Sequence, residues 1–251
     1  VLWNFMPMDT GNGTFIFQDS VGGVYRLRAK DGHLLWKSGY SGAWAHPFTD
    51  GMAMVKDGLV YAVHSSGDCC HVNQPATLRA YDLGSGAEVW RRDFTQSINS
   101  QPVVGRLGSG ASLSSRLAVV VPVGVQPNGN LDNYVSSIGA FDAKTGKPIW
   151  EWTPPSWLGK FVASDDIRLS HGTICLPNPY GSPSIDGRGT VYVGHYNGML
   201  YAIRDDNGDG TIQDSEVSRY DTGAAFSHGG VALAPGMLAI PSCDTVYVFR
   251  E

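Results

Sequence analysis

The residues with the clearest chemistry lie in one run of twelve, DDNGDGTIQDSE, Asp205 to Glu216. Oxygen-bearing side chains stand at loop positions one, three and five (Asp205, Asn207, Asp209). The backbone carbonyl of Thr211 falls at seven, Gln213 at the water-bridging ninth place, and Glu216 closes the loop at twelve with two oxygens. Gly210 at six permits the sharp turn. Calcium is a hard cation that accepts six to eight oxygens at flexible distances, and this spacing matches its coordination sphere. The alternative is a solvated acidic turn whose carboxylates repel one another. The flanks, TVYVGHYNGMLYAI and VSRY, alternate like strands. A calcium sensor works by swinging paired helices open, so a metal held between strands would instead fix a turn.

The remaining reactive side chains give weaker patterns. Cys69 and Cys70 are adjacent, Cys175 and Cys243 stand apart, and the CxxC spacing of zinc sites is missing. An adjacent disulfide would stiffen a loop, and two reduced thiols are the other reading. Cys175 and Cys243 either bridge neighbouring units or stay as buried thiols, depending on whether their Cα atoms come within about 7 Å. The seven histidines form no H-E-x-x-H motif. The serines lack the G-x-S-x-G elbow of a hydrolase, and GRLGSGAS does not open a helix as a phosphate cradle must.

The elements that carry these residues repeat. VYRLRAKDGHLLWKSG, LRAYDLGSGAEVWRRDF and IGAFDAKTGKPIWEW each read as a strand, a turn ending in glycine (Gly32, Gly86, Gly146), and a second strand with tryptophan four residues later (Trp36, Trp90, Trp150). A fourth copy keeps both strands, replaces the short turn with the acidic loop, and carries Tyr220 where the others have tryptophan. Another strand pair precedes each hairpin. Four strands per unit is the signature of a propeller blade. The last unit, GVALAPGMLAIPSCDTVYVFRE, supplies three strands, and Val1 to Phe5 (VLWNF) has the pattern of the missing fourth. The expectation is one all-β domain over residues 1–251: a β-propeller of five four-stranded blades, closed by the N-terminal strand pairing into the last blade, with the EF-hand-like loop 205–216 in the fourth. That pairing would protect two strand edges.

These repeats resemble the PQQ-type (quinoprotein) unit found in quinoprotein alcohol dehydrogenases and in the propeller lipoprotein that helps assemble bacterial outer-membrane proteins. The family pattern A-x-D-x-x-T/S-G-x-x-x-W is met by Ala140, Asp142, Thr145, Gly146 and Trp150, and by Ala80, Asp82, Ser85, Gly86 and Trp90. Arg28 stands where the first copy should have aspartate. The resemblance implies that Trp36, Trp90 and Trp150 dock between neighbouring blades, with Trp3 in the same role on the N-terminal strand. It does not carry over an activity. The family's dehydrogenases are larger, and their calcium is held beside the quinone by separate side chains, whereas the ligands here are contiguous. Cys69-Cys70 resembles the adjacent pair those enzymes place against the quinone, yet a shared fold is not a shared function, and PQQ is not the expected cofactor.

Composition narrows the partners. A net charge of −5 with no Lys/Arg cluster argues against a nucleic-acid partner, whose phosphates need a basic face. The longest strongly apolar run, Leu117 to Val125, is far shorter than the roughly 20 residues of a spanning helix. An even cysteine count favours an oxidising compartment, secreted, periplasmic or lumenal. The sequon at Asn12 is too short a motif to add weight. Two long connections, Thr153 to Gly181 and Gln126 to Tyr134, are the places to look for a functional surface. The favoured expectation is a non-catalytic binding or scaffold propeller with a structural calcium, an accessory subunit of a larger membrane-associated assembly. A divergent quinoprotein oxidoreductase, or a fragment of one, is the second reading. A glycan or small-molecule binding module using the aromatic loops is the third.

Overall fold

The computed structural model describes residues 6–39, 49, 51–66, 74–108, 116–124, 136–157, 162–164, 179–226 and 229–250. They form five antiparallel sheets in chain order, four of four strands and the last of three. The first comprises β1 (Met8–Asp9), β2 (Thr14–Gln18), β3 (Gly23–Arg28) and β4 (Leu34–Gly39). The second holds β5 (Met54–Lys56), β6 (Leu59–Ser65), β7 (Ala76–Asp82) and β8 (Glu88–Phe94). In the third are β9 (Val103–Arg106), β10 (Leu117–Gly124), β11 (Ser136–Asp142) and β12 (Pro148–Trp152). The fourth is built from β13 (Ser184–Ile185), β14 (Val191–Gly194), β15 (Met199–Ile203) and β16 (Val217–Asp221), and the last from β17 (Ala232–Ala234), β18 (Met237–Pro241) and β19 (Val246–Arg250). Each sheet is an up-and-down meander, because every strand pairs antiparallel with its neighbour in the chain.

Packing between consecutive sheets explains the strand sequences. In β10, Ala118 and Val120 join a cluster with Val191, Val193 and Tyr201 of the fourth sheet. Val119, Val121 and Val123, one residue out of phase, join a cluster with Tyr61, Val63 and Leu78 of the second. Alternate side chains leave opposite faces of a strand, so a sheet sandwiched between two others must be apolar at both parities. That is why LAVVVPVG reads as a continuous run. At roughly 1.5–3 kcal/mol for each fully buried valine or leucine, these faces are the main source of cohesion. Ile16, Val24 and Trp36 pack the first sheet on Val60, Ala62 and Tyr81 of the second. Leu200 and Phe226 meet Val231 and Ile240 at the last joint.

The expected closure of the ring is not seen among the described residues, and Val1 to Phe5 lie outside them. No core cluster there joins the first sheet to the last. On the face of the last sheet turned away from the fourth, Val246 is 62% and Val248 51% exposed.

The meander also sorts the connections. Turns from first to second and from third to fourth strand lie at one end of each sheet. Connections from second to third strand, and from each sheet to the next, lie at the other. The acidic loop joins β15 to β16 and so belongs to the first end. The segments joining β6 to β7, β10 to β11 and β12 to β13 leave from the opposite end.

Candidate functional site

Three groups of residues on this frame could carry function. The repeated turns come first. In the second and third sheets Asp82 and Asp142 end a strand and fold back on the turn. Asp82 Oδ1 accepts from the Ser85 amide and hydroxyl, both at 2.7 Å. Asp142 Oδ1 accepts from the Thr145 amide at 2.9 Å and its hydroxyl at 2.8 Å. These bonds to the Ser85 side chain and amide hold the Asp82 carboxyl below its usual range. Gly86 and Gly146 follow with φ of 74° and 69°, a region that strains any residue with a Cβ. The indoles close over them. Trp36 Nε1 donates to the Leu83 carbonyl at 2.9 Å, and Trp90 Nε1 to the Ala143 carbonyl at 3.0 Å. The first sheet reaches the same turn by another route: Arg28 pairs with Asp31 at 2.8 Å, and Asp31 takes the His33 amide. The acid has moved from the strand end into the turn.

The acidic loop is the second group. Asp205 and Glu216 are buried, at 2% and 8% exposure. Both carboxylates are held by loop amides. Asp205 accepts from Gly208 at 2.7 Å and Gly210 at 2.9 Å; Glu216 accepts from Asp206 at 2.8 Å and, through its other oxygen, from Gln213 at 2.9 Å. Asp209 takes the Thr211 amide and the Asn207 and Gln213 side-chain amides. A short 3-10 turn, Asp214–Glu216, leads into β16. Among the described residues no three His, Cys, Asp or Glu side chains converge as a metal cage. The donor set still suits a hard cation in kind, since each carboxylate oxygen that accepts one amide keeps a second lone pair. The loop is also part of a blade joint: a Cβ on Gly210 would sit 2.9 Å from the Ile149 carbonyl, and Ile212 packs on the cluster containing Trp150.

The third group lies at the opposite end, where long connections leave the sheets. Ser136 and His195 are fully buried, with Ser136 Oγ 2.9 Å from His195 Nε2 and donating to the Tyr180 hydroxyl at 3.0 Å. Which of Ser136 Oγ and His195 Nε2 donates depends on the ring tautomer, and among the described residues the buried His195 Nδ1 makes no direct hydrogen bond by geometry. Burial pushes the His195 imidazole down to about 3. His64, beside Thr77 in the second sheet, is likewise held at about 3 by burial, with Arg79 adding to the effect. A serine 2.9 Å from an imidazole has the spacing of a nucleophile and its base. Sealed from solvent, this pair joins the third sheet to the fourth. No sequence motif announced it.

Cys243 is the one cysteine among the described residues and is not a free thiol. Cys69, Cys70, Cys175 and Trp3 lie outside them, as do residues 125–135 and most of 158–178. A cleft of about 980 Å³ opens between the fourth and last sheets, lined by Tyr220, Phe249, Met237 and four arginines, Arg188, Arg204, Arg219 and Arg250. Arg204 pairs with Asp206, and Arg219 with Asp214.

Comparison with known proteins follows the repeat. A family model described as outer membrane protein assembly factor BamB, of PQQ-repeat type, matches residues 20–151, more than half of the chain. The chain belongs to this PQQ-repeat family. BamB from Moraxella catarrhalis is similar in fold, at 19% identity and a TM-score of 0.57, with 98% of this chain and 56% of that one covered. So is the quinohemoprotein alcohol dehydrogenase ADHIIG from Pseudomonas putida HK5, at 20% identity and TM-score 0.61, covering 97% and 40%. A europium-containing methanol dehydrogenase matches at 15% identity and TM-score 0.59, covering 95% and 47%. This chain thus spans about half the length of these structures. No curated protein matches the sequence at a significant level.

Proposed function

We propose that this chain is a non-catalytic β-propeller that binds protein partners, an accessory subunit of a membrane-associated assembly in an extracytosolic, oxidising compartment. The observation that supports this reading most is how the family's signature residues are used. Gly86, Gly146, Trp36 and Trp90 are all committed to joints between sheets. The repeat therefore builds a rigid frame, and partner recognition falls to the long connections gathered at one end. Replacing Gln126 to Tyr134 with a short Gly-Ser linker should remove a stoichiometric partner from the native complex while leaving the melting temperature unchanged. Unaltered co-purification would move the binding surface elsewhere.

Three finer features belong to the same reading. The loop at Asp205, Asn207, Asp209, Thr211, Gln213 and Glu216 takes a calcium ion that clamps the β15–β16 turn, and the donor set, all oxygen, supports it. Val1 to Phe5 supplies the fourth strand of the last sheet. Cys175 pairs with Cys243; alkylation of the unreduced protein should leave both unlabelled, and labelling of either would remove the bridge.

The second reading, a divergent quinoprotein oxidoreductase, draws on the fold shared with the Pseudomonas putida and europium-containing dehydrogenases. Its test is uptake of pyrroloquinoline quinone with dye-coupled alcohol oxidation.

A further inference from the structure

An asparagine followed by glycine is open to a spontaneous reaction, because a residue without a side chain lets its own amide nitrogen approach the asparagine's side-chain carbon. Three such pairs lie among the described residues, Asn12-Gly13, Asn197-Gly198 and Asn207-Gly208, and a fourth, 128–129, lies outside them. In the second and third pairs the reacting groups are tied down. The Gly198 amide donates to the His195 carbonyl at 3.1 Å, and the Asn197 side chain accepts from the Met199 amide at 3.0 Å and donates to the Tyr201 hydroxyl at 2.9 Å. The Gly208 amide donates to the Asp205 carboxylate at 2.7 Å, and the Asn207 side chain accepts from the Asp209 amide at 2.9 Å and donates to its carboxylate at 3.0 Å. The first pair differs. Asn12 and Gly13 are exposed on the turn between β1 and β2, and a Cβ on Gly13 would meet nothing within 4 Å. Neither the Gly13 amide nor the Asn12 side-chain nitrogen donates to any group among the described residues. Two hydroxyls reach the Asn12 side-chain oxygen, Thr10 at 2.6 Å and Thr14 at 2.7 Å. A donor on that oxygen draws electrons from the carbon to be attacked.

We infer that Asn12 is a modification site, at which the folded protein deamidates spontaneously at the edge of its first sheet. The Gly13 amide nitrogen gives up its proton and bonds to Asn12 Cγ. The Cγ–Nδ2 bond breaks, and Nδ2 leaves with that proton as ammonia. The cyclic imide then takes up water. Opening at Cγ gives aspartate with the main chain unchanged, and opening at the backbone carbonyl gives isoaspartate, in which the main chain runs through Cβ. Either product adds a carboxylate to the turn that already holds Asp9, whose Oδ1 accepts from the Gly11 amide at 2.8 Å. Isoaspartate also adds a methylene to the main chain. It does so inside a turn closed by the Thr10 amide on the Thr14 carbonyl at 3.1 Å and tied to the neighbouring hairpin by the Ala29 amide on the Gly13 carbonyl at 2.8 Å. The strand before this turn, β1, is two residues long and forms the sheet edge, so the modification loosens the edge where pairing is weakest.

The test is incubation of the intact folded chain in warm, mildly alkaline buffer, followed by peptide mass mapping with isoaspartate detection. Asn12 should convert at least about tenfold faster than Asn197 or Asn207, since each of those must first break the hydrogen bond at its attacking amide. The same chain in concentrated urea should convert all three at similar rates, which assigns the difference to the fold. Equal rates in the folded protein, or an Asn12 that stays unconverted, would overturn the site. An equally large preference for Asn12 in urea would overturn its structural basis. Amide hydrogen exchange reads the consequence separately: at Thr10 and Ala29 it should quicken in the converted protein and stay slow in Asn12→Gln carried through the same incubation. Unchanged exchange after conversion would remove the effect on the sheet edge.

Discussion

At the scale of single residues, two kinds of buried charge-bearing group give the protein a measurable signature. Asp205 and Glu216 are inside the loop with their oxygens turned toward amides, so a cation would add to an ordered frame. Chelation should lower the melting temperature by roughly 5–10 °C if calcium stands about a hundredfold above its Kd, and Glu216→Gln should abolish that difference. Identical melts with and without chelator would remove the metal from the account. The buried histidines give a pH dependence of defined sign. His64 and His195 have folded values near 3 against 6.5 unfolded, so the unfolded chain binds more protons between those limits. Their stabilising contribution is complete above about pH 6.5 and is lost as pH falls toward 3. At pH 5 each should have given up about 2 kcal/mol, and His195→Gln should flatten the slope of stability against pH. A slope unchanged by that substitution would show that His195 is not the group responsible.

At the scale of elements, the inter-sheet joint is the unit of construction. Trp36→Ala should cost about 3 kcal/mol, toward the lower end for a large buried aromatic, because the Leu83 carbonyl that loses the indole still accepts from Arg26. Chemical denaturation of the single variant checks this. The joints were legible in the sequence because the glycine-to-tryptophan spacing is local. So was the meander, because strand alternation and turn glycines recur in register. The second set of joints was not legible. Ser136, Tyr180 and His195 come from distant segments with no common spacing, and a buried polar contact leaves no periodic trace. One missed signal was available. Asp19 and Asp186 each stand six residues before a tyrosine, in QDSVGGVY and IDGRGTVY, and each takes that tyrosine's hydroxyl, at 2.7 and 3.2 Å. The acidic loop was legible as a ligand pattern. Its present hydrogen bonding was not, since the same carboxylates serve either a cation or the loop's own amides.

At the scale of the whole molecule, five sheets pack in series, with the candidate calcium loop at one end and the long connections at the other. Chemistry that needs a calcium beside an organic cofactor would have to bring these regions together; a binding frame would not. The proposed role as a non-catalytic scaffold is therefore tested most directly by loading the protein with pyrroloquinoline quinone and calcium and following dye-coupled alcohol oxidation. The account predicts no stoichiometric uptake of the quinone and no turnover above that of the quinone alone. Uptake of one quinone per chain with sustained alcohol oxidation would contradict it.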